Sequence, residues 1–319
     1  MGKIYDNLDE LIGHTPMVAL KAMDRLHETT AEVFAKLEWY NPGGSSKDRA
    51  ALKILDEAER AGIIRRGVSV LIEPTDGNMG IGLMTVAAGR KYSTIAVAPE
   101  NIPEEKKKLL DAHGAQIVFT DAAKGMKGAV EKARELAGTT EHAWMPNQFE
   151  NPAGVKAHYE TTGPEIWEDM DGRIDAFVCC AGSGATIMGA GKYLKEKNPA
   201  VQIIAVRPVY RTEPGRESRH DIPGIDTGFE PPLIEPGFCD EVIEINQDMS
   251  YMKCYDLAAT EGYLAGISSG TALHAAYDVA IRPEMAGKRI VVLLPDSADR
   301  YLSTELYAEP EDEDEEGGE

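Results

Sequence analysis

No part of this sequence is apolar for long. Its longest hydrophobic runs, such as the one in KRIVVLLP, fall far short of the ~20 residues that span a bilayer, so no membrane segment is expected. The first residues, MGKIYDNLDELIG, contain neither an apolar signal core nor the hydroxyl residue of a myristoylation signal. Cysteine is scarce. The four residues, Cys179, Cys180, Cys239 and Cys254, form no C-x-x-C and have no histidine cluster beside them, which argues against a metal site. Free thiols without a signal peptide fit a cytoplasmic protein. A basic stripe is also missing. Net charge is −21, and without the eight acidic residues of the tail at 309–319 it is still −13, so no nucleic-acid partner is expected.

What the sequence does have is length and alternation. Its 319 residues, 43% of them hydrophobic, suffice for one large globular domain or two ordinary ones. Strand-like runs at 31–38, 68–74, 93–99, 115–120, 175–182, 201–208 and 288–295 alternate with helix-like segments at 47–63, 78–92, 103–113, 125–137 and up to 198. This alternation predicts an α/β fold, with mostly parallel sheets and helices on both faces. About eight to ten strands exceed one mononucleotide-type unit, so two lobes are expected, with a ligand cleft at the carboxyl ends of the strands. The Pro-, Gly- and charge-rich stretch at 209–236 reads as a long surface loop of the kind that forms lids. The tail at 309–319 reads as disordered.

Chemistry concentrates where strands hand over to helices. EPTDGNMG (73–80) and AGSGAT (181–186) are glycine-containing turns of this kind, and free N–H groups at a helix start attract anions. AGSGAT matches neither the nucleoside-triphosphate loop nor the dinucleotide fingerprint, and alone it equally suits a tight-packing turn. GISSGTALHAA, from Gly266, opens another helix, and helix capping is the simplest use of its serines. In NPGGSSKDR, Lys47 stands at a helix start beside a glycine-rich turn. Displacement from water and the positive end of the helix dipole both disfavour its ammonium form. They favour a nucleophilic amine able to bond a carbonyl cofactor.

Together these segments resemble the cysteine synthase (O-acetylserine sulfhydrylase) family of pyridoxal-phosphate enzymes, with the fold type II of the tryptophan-synthase β chain. IGHTPMVAL, NPGGSSKDR, EPTDGNMGIGL, NQFENPAG, TTGPEIW, GSGAT, GISSG and PDSADRYLST occur in the family's order along nearly the whole chain. The resemblance implies that Lys47 holds pyridoxal 5'-phosphate as an internal aldimine. Asn78 would bond the cofactor's 3′-oxygen, Gly182, Ser183, Gly184, Ala185 and Thr186 would cradle its phosphate, and Ser268 would face the ring nitrogen. Thr75, Asp76, Gly77, Met79 and Gln148 would form the substrate-carboxylate site. It further implies an N-terminal lobe of residues 1–12 and 35–145 and a C-terminal lobe of residues 13–34 and 146–308. The implied reaction is β-replacement on a three-carbon amino acid. O-acetyl-L-serine and sulfide would give L-cysteine, with a homodimer as the assembly and serine acetyltransferase as a candidate partner.

Two acids depart from the family pattern. Asp76 stands where the family's T-S-G-N-T loop has serine, and Asp226 falls within the family's lid motif. An ionised Asp ~4 Å from a substrate carboxylate would cost about 4 kcal/mol at an effective dielectric near 20. Asp76 could instead cap the helix that follows, meet a cationic group, or act as a base toward water or thiol. Asp76 and Asp226 are therefore candidate catalytic residues beside Lys47. Arg207, Arg211, Arg216 and Arg219 would suit an O-phosphoserine leaving group. Breakdown of cysteine to hydrogen sulfide, with water as second substrate, is the rival reaction. A catalytically silent paralogue that binds a partner is the rival from outside enzymology.

Overall fold

The computed structural model describes residues 4–209, 222–225 and 231–307. Among them the strands are β1 (Met17–Ala19), β2 (Glu32–Leu37), β3 (Val70–Pro74), β4 (Ser93–Pro99), β5 (Gln116–Thr120), β6 (Ala143–Trp144), β7 (Ala176–Cys180), β8 (Gln202–Pro208), β9 (Glu241–Ile245) and β10 (Arg289–Leu294). The helices are α1 (Lys21–Leu26), α2 (Lys47–Arg60), α3 (Asn78–Gly89), α4 (Glu104–Ala112), α5 (Gly125–Thr139), α6 (Pro152–Glu160), α7 (Thr162–Asp169), α8 (Ala185–Lys197), α9 (Gln247–Glu261) and α10 (Ile267–Ala280). No helix among these residues is long and apolar enough to cross a membrane.

The strands form two sheets. One has six strands in the order β1-β2-β10-β7-β8-β9, the other four in the order β5-β4-β3-β6. Every pairing is parallel except β1 with β2. Side chains alternate across a strand, so a strand buried on both faces must be apolar throughout. In the larger sheet Val178, Ile204, Val206, Val292 and Leu294 face one way and pack under α9 and α10. Their neighbours Phe177, Cys179, Ile203, Val291 and Leu293 face the other way, against α7 and α8. In the smaller sheet Ile72 and Val97 pack on α5, while Ala96 and Ala98 pack on the opposite side against α3 and α4. The fold is thus the expected α/β arrangement, with helices on both faces of mostly parallel sheets.

The expected helix at 78–92 ends at Gly89. The long loop at 209–236 falls largely outside the described residues, and with it Asp226, Arg211, Arg216 and Arg219. The acidic tail lies outside them too.

A buried charge cluster fixes α2 to the larger sheet. Arg49 Nε and Nη2 donate to Glu38 Oε2 and Oε1 at 2.7 and 2.8 Å, and Nη1 and Nη2 donate to Glu165 Oε1 and Oε2 at 2.6 and 2.7 Å. Lys36 Nζ, on β2, adds bonds to Thr15 O at 2.7 Å and Asp169 Oδ2 at 3.1 Å, and an ion pair with Glu165 Oε2 at 3.0 Å. Burial works to raise the Glu165 pKa, but the hydrogen bonds and charge of Arg49, with Lys36, outweigh it and hold Glu165 at about 2. An unfolded glutamate titrates near ~4.3. The stability Glu165 contributes is therefore complete above about pH 4.3 and is lost as pH falls toward its folded value. Urea unfolding of Glu165→Gln should show a loss of about 3 kcal/mol at pH 7 and a flatter decline of stability between about pH 4 and 2. An unchanged acid limb would remove Glu165 from the cluster's energetics.

Candidate active site

The carboxyl ends of β3, β7 and β10 converge on Lys47. The turn that carries it is pinned to the far end of β10: Ser46 N donates to Pro295 O at 3.0 Å, and Ser45 forms an isolated bridge with Asp296. Lys47 is the first residue of α2 and is half-buried. Burial lowers its pKa, and the carboxylates of Asp76 and, more weakly, Asp296 oppose the shift. The amine is therefore easier to deprotonate than an ordinary lysine's. The two thiols beneath it are held neutral, Cys179 being pushed up to about 12 by burial.

The β3–α3 turn carries Thr75, Asp76, Gly77, Asn78 and Met79. Thr75 is fully buried, and its Oγ1 accepts from the N–H groups of Gly77 at 2.9 Å and Gly80 at 3.0 Å. Thr75 therefore caps α3. Asp76 makes no side-chain hydrogen bond among the described residues, so the capping reading of Asp76 is corrected: the shorter Thr75 hydroxyl already fills that position. Asp76 instead faces the 222–225 segment, its Oδ2 lying 3.8 Å from where a Cβ on Gly224 would sit. Gly77 has φ 137°, a conformation side chains rarely adopt, and a Cβ there would fall 2.3 Å from Lys106 Cδ. The Met79 side chain is buried in the core with Leu55, Leu71 and Leu83, which leaves its backbone N–H as the group able to meet a ligand. Gln148 approaches the same turn, its Nε2 donating to Pro74 O at 3.4 Å. Beneath it Glu73, fully buried, is pushed up to about 8 by burial against the N–H groups of Gln148 and Asn147.

Asn78 belongs to a polar chain that the sequence reading did not pick out. Its Nδ2 donates to Asp296 Oδ2 at 2.7 Å, and its Oδ1 accepts from Arg300 Nη1 at 2.7 Å. Tyr301 also donates to Asp296 Oδ2, at 2.6 Å. Arg300 continues to the carbonyl of Gly43, in the glycine turn before Lys47. All three partners lie in PDSADRYLST, whose run of Asp, Arg and Tyr just after an apolar strand was the available signal. Ser268 sits in the first turn of α10, 4% exposed, and its carbonyl accepts from Cys180 Sγ at 3.2 Å. The serines do not cap that helix: Gly266 is the N-cap, and Ser269 Oγ donates back to Asp296 O at 3.1 Å.

The β7–α8 junction holds Gly182, Ser183, Gly184, Ala185 and Thr186. Gly184 takes a left-handed conformation, φ 85°, that turns the chain into the helix. Thr186 Oγ1 lies 3.1 Å from His158 Nε2, and His158 Nδ1 lies 2.9 Å from Thr162 Oγ1. Burial, reinforced by the Arg49 charge, lowers His158 to about 3, so the imidazole is neutral at ordinary pH. Among the described residues no group of His, Cys, Asp and Glu is arranged to hold a metal ion. The constellation suits a phosphorylated aldehyde. The left-handed glycine and the helix start can take the phosphate, the amine of Lys47 can take the aldehyde, and Asn78 and Ser268 can take the ring's polar atoms.

Comparison with known proteins gives the same class. The model of the pyridoxal-phosphate dependent enzyme family matches residues 8–296, and the chain belongs to that family. It is 41% identical over 312 residues to the cysteine synthase of Staphylococcus aureus (strain Mu50), covering 96% of this chain and 98% of that one. A hydrogen sulfide-producing enzyme from Fusobacterium nucleatum superposes with a TM-score of 0.88 at 36% identity, covering 94% of this chain and 100% of that one. The Entamoeba histolytica cysteine synthase does so with a TM-score of 0.88 at 34% identity, covering 97% of this chain and 93% of that one. The protein is a pyridoxal-phosphate enzyme, similar to cysteine synthases along nearly its whole length.

Replacing His158 by Leu leaves the Thr186 hydroxyl without its buried partner. Equilibrium dialysis of the apoprotein should show pyridoxal phosphate bound about tenfold more weakly. Unchanged affinity would show that Thr186 does not depend on His158.

Proposed function

We propose that this chain catalyses β-replacement on a three-carbon amino acid, converting O-acetyl-L-serine and sulfide to L-cysteine and acetate. The observation that supports the reading is the gathering of Lys47, Asn78, the 182–186 loop and Ser268 around the carboxyl ends of β7 and β10, in a chain similar over nearly its whole length to cysteine synthases. Bound pyridoxal phosphate supplies an electron sink that labilises the substrate's Cα proton and β substituent. Lys47 would hold it through its amine, and that amine, once free, would take the Cα proton. Acetate leaves Cβ, sulfide adds there, and Lys47 returns the proton. The lowered pKa of Lys47 suits both transfers. Asn78 Nδ2 spends one hydrogen on Asp296 and has a second for the 3′-oxygen. The 182–186 loop holds the phosphate. Ser268 would offer the ring nitrogen a neutral hydroxyl rather than a carboxylate, which would favour β-elimination over transamination. Thr75, the N–H groups of Gly77 and Met79, and Gln148 receive the α-carboxylate.

A second reading, cysteine breakdown with release of hydrogen sulfide, is favoured by one observation. Asp76 makes no side-chain hydrogen bond among the described residues, faces Gly224 and is the strongest charge acting on Lys47. A carboxylate so placed can take a proton from water, which would add at Cβ as hydrosulfide leaves and give serine. Asp226 would assist. We further propose the division into lobes of residues 1–12 with 35–145 and 13–34 with 146–308. A cytoplasmic homodimer is proposed from the resemblance and the four free thiols, with sedimentation of the holoenzyme as its check, and serine acetyltransferase as a candidate partner.

The purified enzyme should form cysteine from O-acetylserine and sulfide, and Lys47→Ala should reduce the rate by about a thousandfold or more. Sulfide release from cysteine, with O-acetylserine ignored, would establish the second reading. Turnover of O-phosphoserine alone would point to the arginines near the lid.

A further inference from the structure

Lys106 is a buried cation that the reaction as described does not use. It lies on α4, 1% exposed, with its stem laid along Gly77. Its Nζ sits 4.5 Å from the centre of the Tyr301 ring and 3.4 Å from the phenolic oxygen, the single hydrogen-bond acceptor it has among the described residues. Tyr301 donates its hydroxyl hydrogen to Asp296, whose Oδ2 also accepts from Asn78. No carboxylate lies within 4 Å of the ammonium among those residues. An ammonium has three hydrogens to place, and leaving two unplaced in a dry interior is costly unless an opposite charge lies close.

The turn on which its stem packs carries such a charge, Asp76. The Asp76 carboxylate is the foremost charge acting on Lys106, ahead of Asp296, with Arg300 and Glu105 weaker. Asp76 likewise lacks a hydrogen-bond partner among the described residues. We propose that Lys106 is the counter-charge of Asp76 and a positioning residue for substrate: with its stem packed on Gly77, its ammonium neutralises the Asp76 carboxylate so that the Thr75–Met79 turn can accept the amino acid's own carboxylate. Unneutralised, the two carboxylates would repel by about a thousandfold in binding at an effective dielectric near 20. The packing also explains why position 77 is glycine, because a Cβ there would fall 2.3 Å from Lys106 Cδ and displace the lysine stem from the turn.

This inference rests on the reaction class proposed above, and the experiment separates the two. Steady-state kinetics of the holoenzyme with O-acetylserine and sulfide are compared for wild type, Lys106→Met, Asp76→Asn, the double variant and Lys106→Arg. The lysine-to-methionine change should raise KM for the amino acid at least about tenfold with kcat within about threefold. Adding Asp76→Asn should return KM to within about threefold of wild type, and Lys106→Arg should preserve it. Unchanged KM in Lys106→Met, or a double variant no better than Lys106→Met alone, would overturn the pairing. A wild type that turns over neither O-acetylserine nor cysteine would defeat the reaction class instead. The pairing is then decided by urea unfolding of the same four proteins other than the arginine variant, where coupled losses support it and additive ones overturn it.

Discussion

A guanidinium deprived of water must have its carboxylates brought to it, and Arg49 has two. Glu38 arrives from the end of β2 and Glu165 from α7, each meeting the fork in bidentate geometry. Arg49 is two residues beyond Lys47 on the same helix, so the cluster that holds the guanidinium also sets where the reactive amine stands. The cluster is costly to assemble and more costly to break singly, because a lone buried charge would remain. Its value is positional: α2 cannot slide along the larger sheet without separating charges that have no water to turn to. The same Arg49 charge helps keep His158 neutral, which links the amine's position to the 182–186 loop at the start of α8 through Thr186.

A second constraint works from the opposite side. Asp296, at the end of β10, gathers Asn78 and Tyr301 on one oxygen, and Arg300 ties Asn78 back to the glycine turn before Lys47. Three chain segments far apart in sequence thus meet around the cofactor's expected ring position. Each polar group there is oriented by another polar group rather than by solvent, the form of preorganisation that chemistry at Cα and Cβ requires. A charge outside this scheme is Asp76, which acts on both Lys47 and Lys106 and turns toward the 222–225 segment.

Much of the architecture was legible because buried parallel strands are apolar along most of their length, and seven runs showed that pattern despite an occasional buried charge such as Lys36 or Glu73. β1 and β6 were missed because three- and two-residue strands carry no period, and β9 because it is only half covered. Helices α6 and α7 were missed for another reason. Pro152, Gly154, Gly163 and Pro164 look like breakers, yet Pro152 opens α6 and Pro164 lies in the first turn of α7, where no backbone N–H is needed. In the site, Lys47 and the glycine turns stood out through their motifs. Lys106 did not, since a lysine inside EEKKKLL looks solvated until α4 docks against the Gly77 turn. Asp76 was noticed as an anomaly, but its freedom from capping became visible only with Thr75 in place.

The central claim is that the buried cluster delivers Lys47, and no other lysine, to the cofactor. Borohydride reduction of the holoenzyme, followed by proteolysis and mass spectrometry of the peptides, tests it directly. A pyridoxyl group on Lys47 alone is the expected result. The same group on Lys36 or Lys106, or on no lysine at all, would contradict the assignment on which the rest of the chemistry stands.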